Sequence, residues 1–291
     1  MAFEAILIGL IAALGWGFGD FYGAKASKKF GGITTIFFIA LISTVMYAAV
    51  YAIWMRQHSQ LDASALWFAA SGGFIFALGS GCFFKGLEYG PVSIVSPLGS
   101  TYPLLTTALL ILFGVVLSIP QTIGIILVVA GIVLAAGLLD SKLTTKRIER
   151  GPLLGLVAAI FWGCGIGLYS QSIEIVGWQQ TTLVQLIVIT LTLWLLVPFI
   201  RGEENVFTDF RKKLTAPLLV GTSVVQMIGL LGVNIGVGLF VEYAAVVVAV
   251  SALYPVLTVF LALRHLDEKI SRPALFGAFM AVLGVALLSF G

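Results

Sequence analysis

The sequence predicts an all-α polytopic membrane protein in which ten transmembrane helices form two inverted five-helix repeats. Three observations predict this fold class. First, 60% of the 291 residues are hydrophobic and only 10% are charged, whereas soluble domains carry about 25% charged residues. Second, the chain contains ten apolar runs of the length that crosses a bilayer, about 20 residues each. Third, the first half of the sequence recurs in the second half.

The apolar runs define the predicted helices in order. The polar segments between them are too short to hold a soluble domain, so any ligand must bind inside the helix bundle or at its ends. The runs fall near residues 3–24, 33–55, 64–84, 91–114, 119–139, 151–172, 178–200, 215–238, 241–263 and 273–290.

The basic residues predict how these helices face. Lysine and arginine concentrate in the cytoplasmic loops of membrane proteins. Of the 16 basic residues, all except Arg56 fall in alternate loops, namely one-two, three-four, five-six, seven-eight and nine-ten. We therefore expect a multi-pass protein of the cell membrane with both termini on the extracytoplasmic side.

The internal repeat appears as three collinear matches. Chance is a poor explanation for three matches in one order. They pair IGLIAALGWGFGDF (8–21) with LGLVAAIFWGCGIG (154–167), TYPLLT (101–106) with LYPVLT (253–258), and PQTIGIILVVAGIVL (120–134) with PALFGAFMAVLGVAL (273–287).

The repeat predicts two structural units, residues 1–140 and 151–291, joined by a cytoplasmic linker at 141–150. Because each unit has an odd number of helices, the second enters the membrane in the opposite direction. Inverted repeats of this kind are the architecture of many secondary transporters, since they allow two near-equivalent conformations that open to opposite sides.

Short motifs recur in both halves: a Trp-Gly pair in the opening helix, a Tyr-Pro pair in the fourth, and spaced glycines in the last. They are Trp16-Gly17 and Trp162-Gly163, Tyr102-Pro103 and Tyr254-Pro255, Gly124 and Gly131, and Gly277 and Gly284. In this order and duplication the chain resembles the ten-helix EamA branch of the drug/metabolite transporter superfamily. The resemblance implies alternating-access transport of small polar metabolites, often amino acids, through a cavity lined by helices one, three, four, six, eight and nine.

The chain differs from this family in two respects. The acidic residue that usually precedes the last helix of each half is present as Glu268, but the matching region near Val115 is apolar. Relatives also commonly keep both termini in the cytoplasm, opposite to the orientation that the basic loops predict.

Asp20 is the acidic residue that lies clearly inside a predicted span. A charge at the centre of a membrane helix costs about 2.5–3.5 kcal/mol, so it needs a reason to be there. Its repeat partner is Ile166, as expected if one half carries a special role. We predict that Asp20 binds substrate or couples transport to protons; equally, it could reach the cytoplasmic surface or pair with a lysine.

The stretch Gly17-Phe18-Gly19-Asp20 also resembles the GxGD signature of intramembrane aspartyl proteases. That chemistry needs two carboxylates that share a proton, and the other aspartates lie in predicted loops. We therefore predict that the protein is not an enzyme, and we expect no cofactor and no bound metal.

Other polar and aromatic residues are candidates for the transport site. The serines of helix four can mark a broken helix or bond to neighbouring helices, and the tryptophans can line a cavity or simply pack. The candidate substrate-binding residues are Trp16, Asp20, Ser96, Ser100, Trp162, Gln226 and Asn234, and the candidate gating or kink residues are Pro97, Tyr102, Pro103, Tyr254 and Pro255.

Three further expectations concern single positions. Gln185 is expected to be peripheral, because helix seven does not belong to the cavity-lining set. The hydroxyl groups of Tyr102 and Tyr254 are expected to support the adjacent proline kinks. Lys85 and Glu88 are expected to form an ion pair across one helical turn, at the surface in preference to a gate.

The leading functional hypothesis is a secondary transporter that exports a small, polar, amino-acid-like metabolite by alternating access. Uptake of a sugar or similar solute and efflux of cationic drugs are alternatives within transport. A lipid-flipping or non-transporting helper subunit is the alternative from another class. The expected partners are a small-molecule substrate, the lipid bilayer and protons, with no nucleic acid, and the chain could act as a monomer or a homodimer.

Overall fold

The computed structural model describes residues 2–55, 62–114, 116–135, 150–197 and 206–266, with seven separate positions between 273 and 287. Within these residues the regular elements are all helices, as the composition predicts. They are α1 (Ala2–Phe30), α2 (Gly32–Val50), α3 (Ala63–Tyr89), α4 (Val92–Gly99), α5 (Pro103–Leu112), α6 (Ile119–Ala135), α7 (Arg150–Leu196), α8 (Phe210–Leu214), α9 (Pro217–Leu239), α10 (Ala244–Ser251) and α11 (Tyr254–Leu266).

The long helix α7 is two helices joined at one glycine. Its 47 residues would extend about 70 Å at 1.5 Å per residue, more than twice the hydrocarbon thickness of a bilayer. Gly177 interrupts it with φ of 80°, a left-handed conformation that glycine adopts without steric cost. The two segments correspond to the sixth and seventh predicted runs.

Two predicted runs are broken helices. The run at 91–114 ends as α4 at Gly99 and resumes as α5 at Pro103, and the run at 241–263 ends as α10 at Ser251 and resumes as α11 at Tyr254. A proline follows closely at both breaks, at Pro103 and Pro255. Proline lacks an N–H and its ring clashes with the preceding turn, so the helix before it ends or bends.

Six helical stretches in the described residues are long and apolar enough to cross a membrane. This confirms a polytopic membrane protein. Most of the tenth predicted run and nearly all of the predicted linker lie outside the described residues, so the ten-helix inverted arrangement remains a prediction. The six stretches are Ala2–Phe30, Gly32–Ile53, Ala63–Tyr89, Arg150–Leu196, Pro217–Leu239 and Val241–His265.

Close helix packing builds the centre of the bundle. α1 lies against α9, and α3 lies against α7. A Cβ atom on Gly15 would lie 2.6 Å from the amide nitrogen of Gly229, and one on Gly72 would lie 2.7 Å from the carbonyl oxygen of Gly165. Only glycine permits backbones to approach this closely, which is how membrane helices gain packing energy where lipid offers no hydrophobic driving force.

Candidate functional site

A cavity of about 70 Å³ lies where these helices meet the two helix breaks. Its walls are largely aromatic and aliphatic, with a few polar groups, as is typical of small-molecule sites. The volume holds several water molecules, since one water needs about 10–15 Å³ by this measure. The lining residues are Trp16, Asp20, Ile36, Ile39, Ala40, Ser43, Phe76, Ser80, Phe84, Tyr102, Trp162, Ile166, Leu186, Ile189, Gln226, Met227, Leu230 and Tyr254.

Asp20 lies in the cavity wall and is only 3% exposed. The hydroxyl of Ser96 donates to its Oδ2 at 3.0 Å, and the amide of Gln226 donates to its Oδ1 at 3.2 Å. The carboxyl group therefore joins α1 to α4 and α9. Within the described residues no lysine or arginine lies within ion-pair distance of it, so its position matches neither the surface nor the lysine-paired alternative.

The two repeat-related tryptophans, Trp16 and Trp162, both line the cavity, and both contact Tyr102. Trp16 meets Tyr102 and Tyr254 edge to face, with ring centroids 6.1 and 6.0 Å apart. Trp162 meets Tyr102 in the same way at 6.2 Å, and its Nε1 donates to the hydroxyl of Ser80 at 3.0 Å. Such edge-to-face pairs each contribute about 0.5–1.5 kcal/mol beyond burial, so these rings stabilise one another in the cavity wall.

The hydroxyl groups of Tyr102 and Tyr254 do not support their own kinks, contrary to expectation. The Tyr102 hydroxyl bonds to the Ser251 hydroxyl at 2.7 Å and donates to the carbonyl of Val248 at 3.4 Å. The Tyr254 hydroxyl donates to the carbonyl of Ser96 at 3.2 Å. Each tyrosine therefore reaches the broken helix of the other repeat, because the two breaks lie side by side.

Ser96, Ser100 and Asn234 are not among the described residues that line the cavity. The Ser100 hydroxyl donates within its own helix to the carbonyl of Pro97 at 2.7 Å. The Asn234 amide donates to the hydroxyl of Thr182 at 2.8 Å and to Oε1 of Gln185 at 2.9 Å. Nε2 of Gln185 and Oδ1 of Asn234 are buried and have no hydrogen-bond partner among the described residues.

The expectation that Gln185 is peripheral is wrong. Its side chain is fully buried, because the second half of α7 packs against α2 and α9. A Cβ atom on Gly73 of α3 would lie 3.3 Å from the Gln185 Cα, so helix α3 also covers it. The polar cluster of Thr182, Gln185 and Asn234 therefore belongs to the core of the bundle.

The expected pair of Lys85 and Glu88 is present and mostly buried. Lys85 Nζ lies 3.0 Å from Glu88 Oε2, with the side chains 13% and 23% exposed. The same oxygen accepts a hydrogen bond from the amide of Gly32 at 2.6 Å. Glu88 therefore caps the start of α2, where the helix dipole favours a negative charge, and it ties α2 to the end of α3.

Some cavity residues were not predicted. Ser43, Phe76, Ser80 and Met227 line the cavity, but the sequence offers no signal that separates one serine or phenylalanine of an apolar helix from another. Among the residues that the structure describes, no three His, Cys, Asp or Glu side chains are placed to hold a metal ion.

Comparisons with known proteins agree with this architecture. The model of the EamA-like transporter family matches residues 3–137 and again 149–290. An uncharacterized transporter of Archaeoglobus fulgidus is 26% identical over 286 residues, which cover 97% of each chain. An uncharacterized protein of Methanocaldococcus jannaschii is 32% identical over 133 residues, 45% of this chain and 94% of its own length.

Among solved structures, a crystal structure of a similar protein shares the fold. It aligns over 98% of this chain and 95% of its own, with a TM-score of 0.67 and 17% identity. The two family matches cover nearly the whole sequence, and the protein is accordingly a membrane transporter and not an enzyme. The chain belongs to the EamA-like transporter family.

Proposed function

We propose that the protein is a secondary transporter that exports a small polar metabolite carrying an amino group, as amino acids do, by alternating access. The observation that carries this proposal is the buried cavity between the two repeats, with Asp20 as the carboxylate in its wall. A cavity inside the helix bundle, with a carboxylate in its wall, can bind a solute and release it when the surrounding helices rearrange.

Reciprocal contacts between the halves support the alternating-access part of the proposal. Thr44 and Thr190, which are 146 residues apart, bond to each other at 2.8 Å, and 146 is the spacing of the repeat at its first match. A spacing of 152 residues separates Tyr102 from Tyr254 and also Ser96 from Val248, so the two tyrosine-to-carbonyl contacts are equivalent.

Such equivalence is what an inverted repeat requires. If the halves are related by a two-fold axis in the membrane plane, the exchange of their conformations converts an inward-open cavity into an outward-open one. The broken helices at 99–103 and 251–254 then act as the bending points, with Pro97, Pro103 and Pro255 as the kink residues.

Asp20 is the proposed binding and coupling group. Its two donors, Ser96 and Gln226, are neutral, so the carboxyl group can exchange a proton for a substrate ammonium group without breaking a protein ion pair. Intramembrane carboxylates commonly act in this way in pumps and transporters.

Reconstitution tests the proposal. The purified protein is placed in liposomes that contain a pH-sensitive dye, and pools of amino acids, amines, sugars and nucleosides are added. Asp20→Asn is compared with Asp209→Asn, which alters a surface aspartate paired with Lys212. A substrate-dependent pH change in the parent and in Asp209→Asn, but not in Asp20→Asn, is expected.

Other results would change the assignment. Radiolabelled uptake without a pH change, and equal in Asp20→Asn, would remove Asp20 from the mechanism but keep transport. No movement of any pool by folded protein would contradict transport and favour the helper-subunit alternative. Protein inserted in a known orientation tests the proposed export direction.

A further inference from the structure

We propose that the cavity selects organic cations: an amine without a carboxylate should bind in preference to the amino acid of the same side chain. This inference narrows the proposed function and rests on it. It commits to one solute class where the sequence leaves amino acids, sugars and cationic compounds open.

The charges of the cavity wall are the first support. Among the described residues that line the cavity, Asp20 is the single acidic side chain, and none is lysine, arginine or histidine. A bound cation would therefore meet one opposite charge, whereas a zwitterion would leave its own carboxylate without a positive partner. Burial of an unpaired charge is costly, so a carboxylate on the solute weakens binding.

The aromatic wall is the second support. Trp16, Trp162, Tyr102, Tyr254 and Phe76 all line the same space as Asp20. The face of an aromatic ring attracts a cation and repels an anion, and the attraction grows as water is excluded. A ring face that borders the cavity beside the carboxylate would thus favour an ammonium group.

The hydroxyl donors of the wall are the third support, because they already donate elsewhere. Ser80 donates to the carbonyl of Phe76 at 2.9 Å, and Ser43 donates to the carbonyl of Ser223 at 3.4 Å. The hydroxyl groups of Tyr102 and Tyr254 bond across the repeats. A substrate carboxylate would have to break these bonds to gain a hydroxyl donor.

The two helix breaks are the fourth support. Half-helix N-termini can bind anionic groups when their amides are free. At the first break the amides of Ser100 and Thr101 donate to Ser96 and Leu98, and at the second the amides of Ala252 and Leu253 donate to main-chain carbonyls. Pro103 and Pro255 have no N–H at all. At these six positions, therefore, no free main-chain N–H is present to bind an anion.

A matched series of solutes tests the selectivity. Phenethylamine, phenylalanine and 3-phenylpropionate share one ring and differ in charge, and glucose serves as a neutral solute. Binding to the purified protein is measured by calorimetry. Phenethylamine is expected to bind about tenfold or more tightly than phenylalanine, a difference of about 1.4 kcal/mol, and 3-phenylpropionate is expected to bind most weakly.

Two variants test whether the preference for the amine arises in the cavity. Asp20→Asn retains an oxygen that can accept from Gln226, so it is expected to fold and to lose the preference for the amine. Asp209→Asn is expected to keep it. Size-exclusion profiles and melting temperatures establish that both variants are folded before binding is compared.

Several outcomes would overturn the inference. They are equal or tighter binding of phenylalanine, 3-phenylpropionate or glucose, an amine preference that survives in Asp20→Asn, or no binding of any of the four by folded protein. Counterflow of the solute that binds best then tests transport separately. Transport without amine preference rejects the selectivity alone, whereas binding without transport rejects the proposed function.

Discussion

Replacement of Gly229 by alanine tests how the cavity wall is held in place. A Cβ atom at this position would lie 2.1 Å from Cδ1 and 2.4 Å from Nε1 of Trp16. Ordinary contact begins near 3.4 Å, so the indole or the helix would have to move by about an ångström or more. The Gly229 amide also lies against Gly15 of the helix that carries Trp16, so a retreat of α9 would loosen this close helix contact.

The expected cost follows from this geometry. An extra methyl group in a packed core costs about 1–3 kcal/mol, and the aromatic contacts of Trp16 with Tyr102 and Tyr254 would be lost in part. Gly221→Ala is the matched control on the same helix, because a Cβ atom there has no neighbour within 4 Å. That variant is expected to be neutral or more stable, since alanine is the better helix former.

The assay is thermal unfolding in detergent, followed by the near-ultraviolet circular dichroism of the aromatic residues. Gly229→Ala is expected to melt below the parent and below Gly221→Ala. Trp16→Leu should make room for the new methyl group, so Gly229→Ala is expected to cost less in that background. Equal melting of the two glycine variants, or no relief by Trp16→Leu, would refute the packing described here.

Three further predictions concern other contacts. Hydrogen bonds from the first turn of α3 hold the pKa of Asp62 below its ordinary value of 3.8. Asp62→Ala should therefore lower the melting temperature at pH 6, and this loss should become smaller in melts toward pH 3, as the pH falls through the lowered pKa. Gln185→Leu and Asn234→Leu should each lower the free energy of unfolding by about 1–3 kcal/mol, because each leaves the other side chain buried without its hydrogen bond. Denaturant unfolding of the double variant should show a loss smaller than the sum of the two. Glu88→Ala should expose the Gly32 amide to faster hydrogen exchange than in the parent.

The membrane fold could be predicted because the bilayer imposes it. Hydrocarbon about 30 Å thick requires apolar runs of about 20 residues, and such runs are visible without any structure. The break after Gly99 was also foreseeable, since serines and Pro103 cluster there. The break before Pro255 was foreseeable as well, because its Tyr-Pro pair repeats that of Tyr102-Pro103.

The candidate site was predictable in some of its residues but not in its contacts. A single charge in an apolar run singles out Asp20, yet its partners Ser96 and Gln226 come from helices 76 and 206 residues away. Gln185 shows the limit most clearly, because an isolated glutamine in an apolar helix looks the same whether it faces the bundle or its edge. Tertiary contacts decide which face of such a helix packs against its neighbours, and the spacing of residues within the helix does not reveal them.

Cysteine labelling at Ser43 tests alternating access through this cavity most directly. Ser43→Cys is placed in a Cys82→Ser, Cys164→Ser background, and a membrane-impermeant thiol reagent is applied to either side of sealed proteoliposomes of known orientation. The account predicts labelling from both sides, with a bound amine slowing both reactions. Labelling from one side only, or none in folded and transport-active protein, would contradict it.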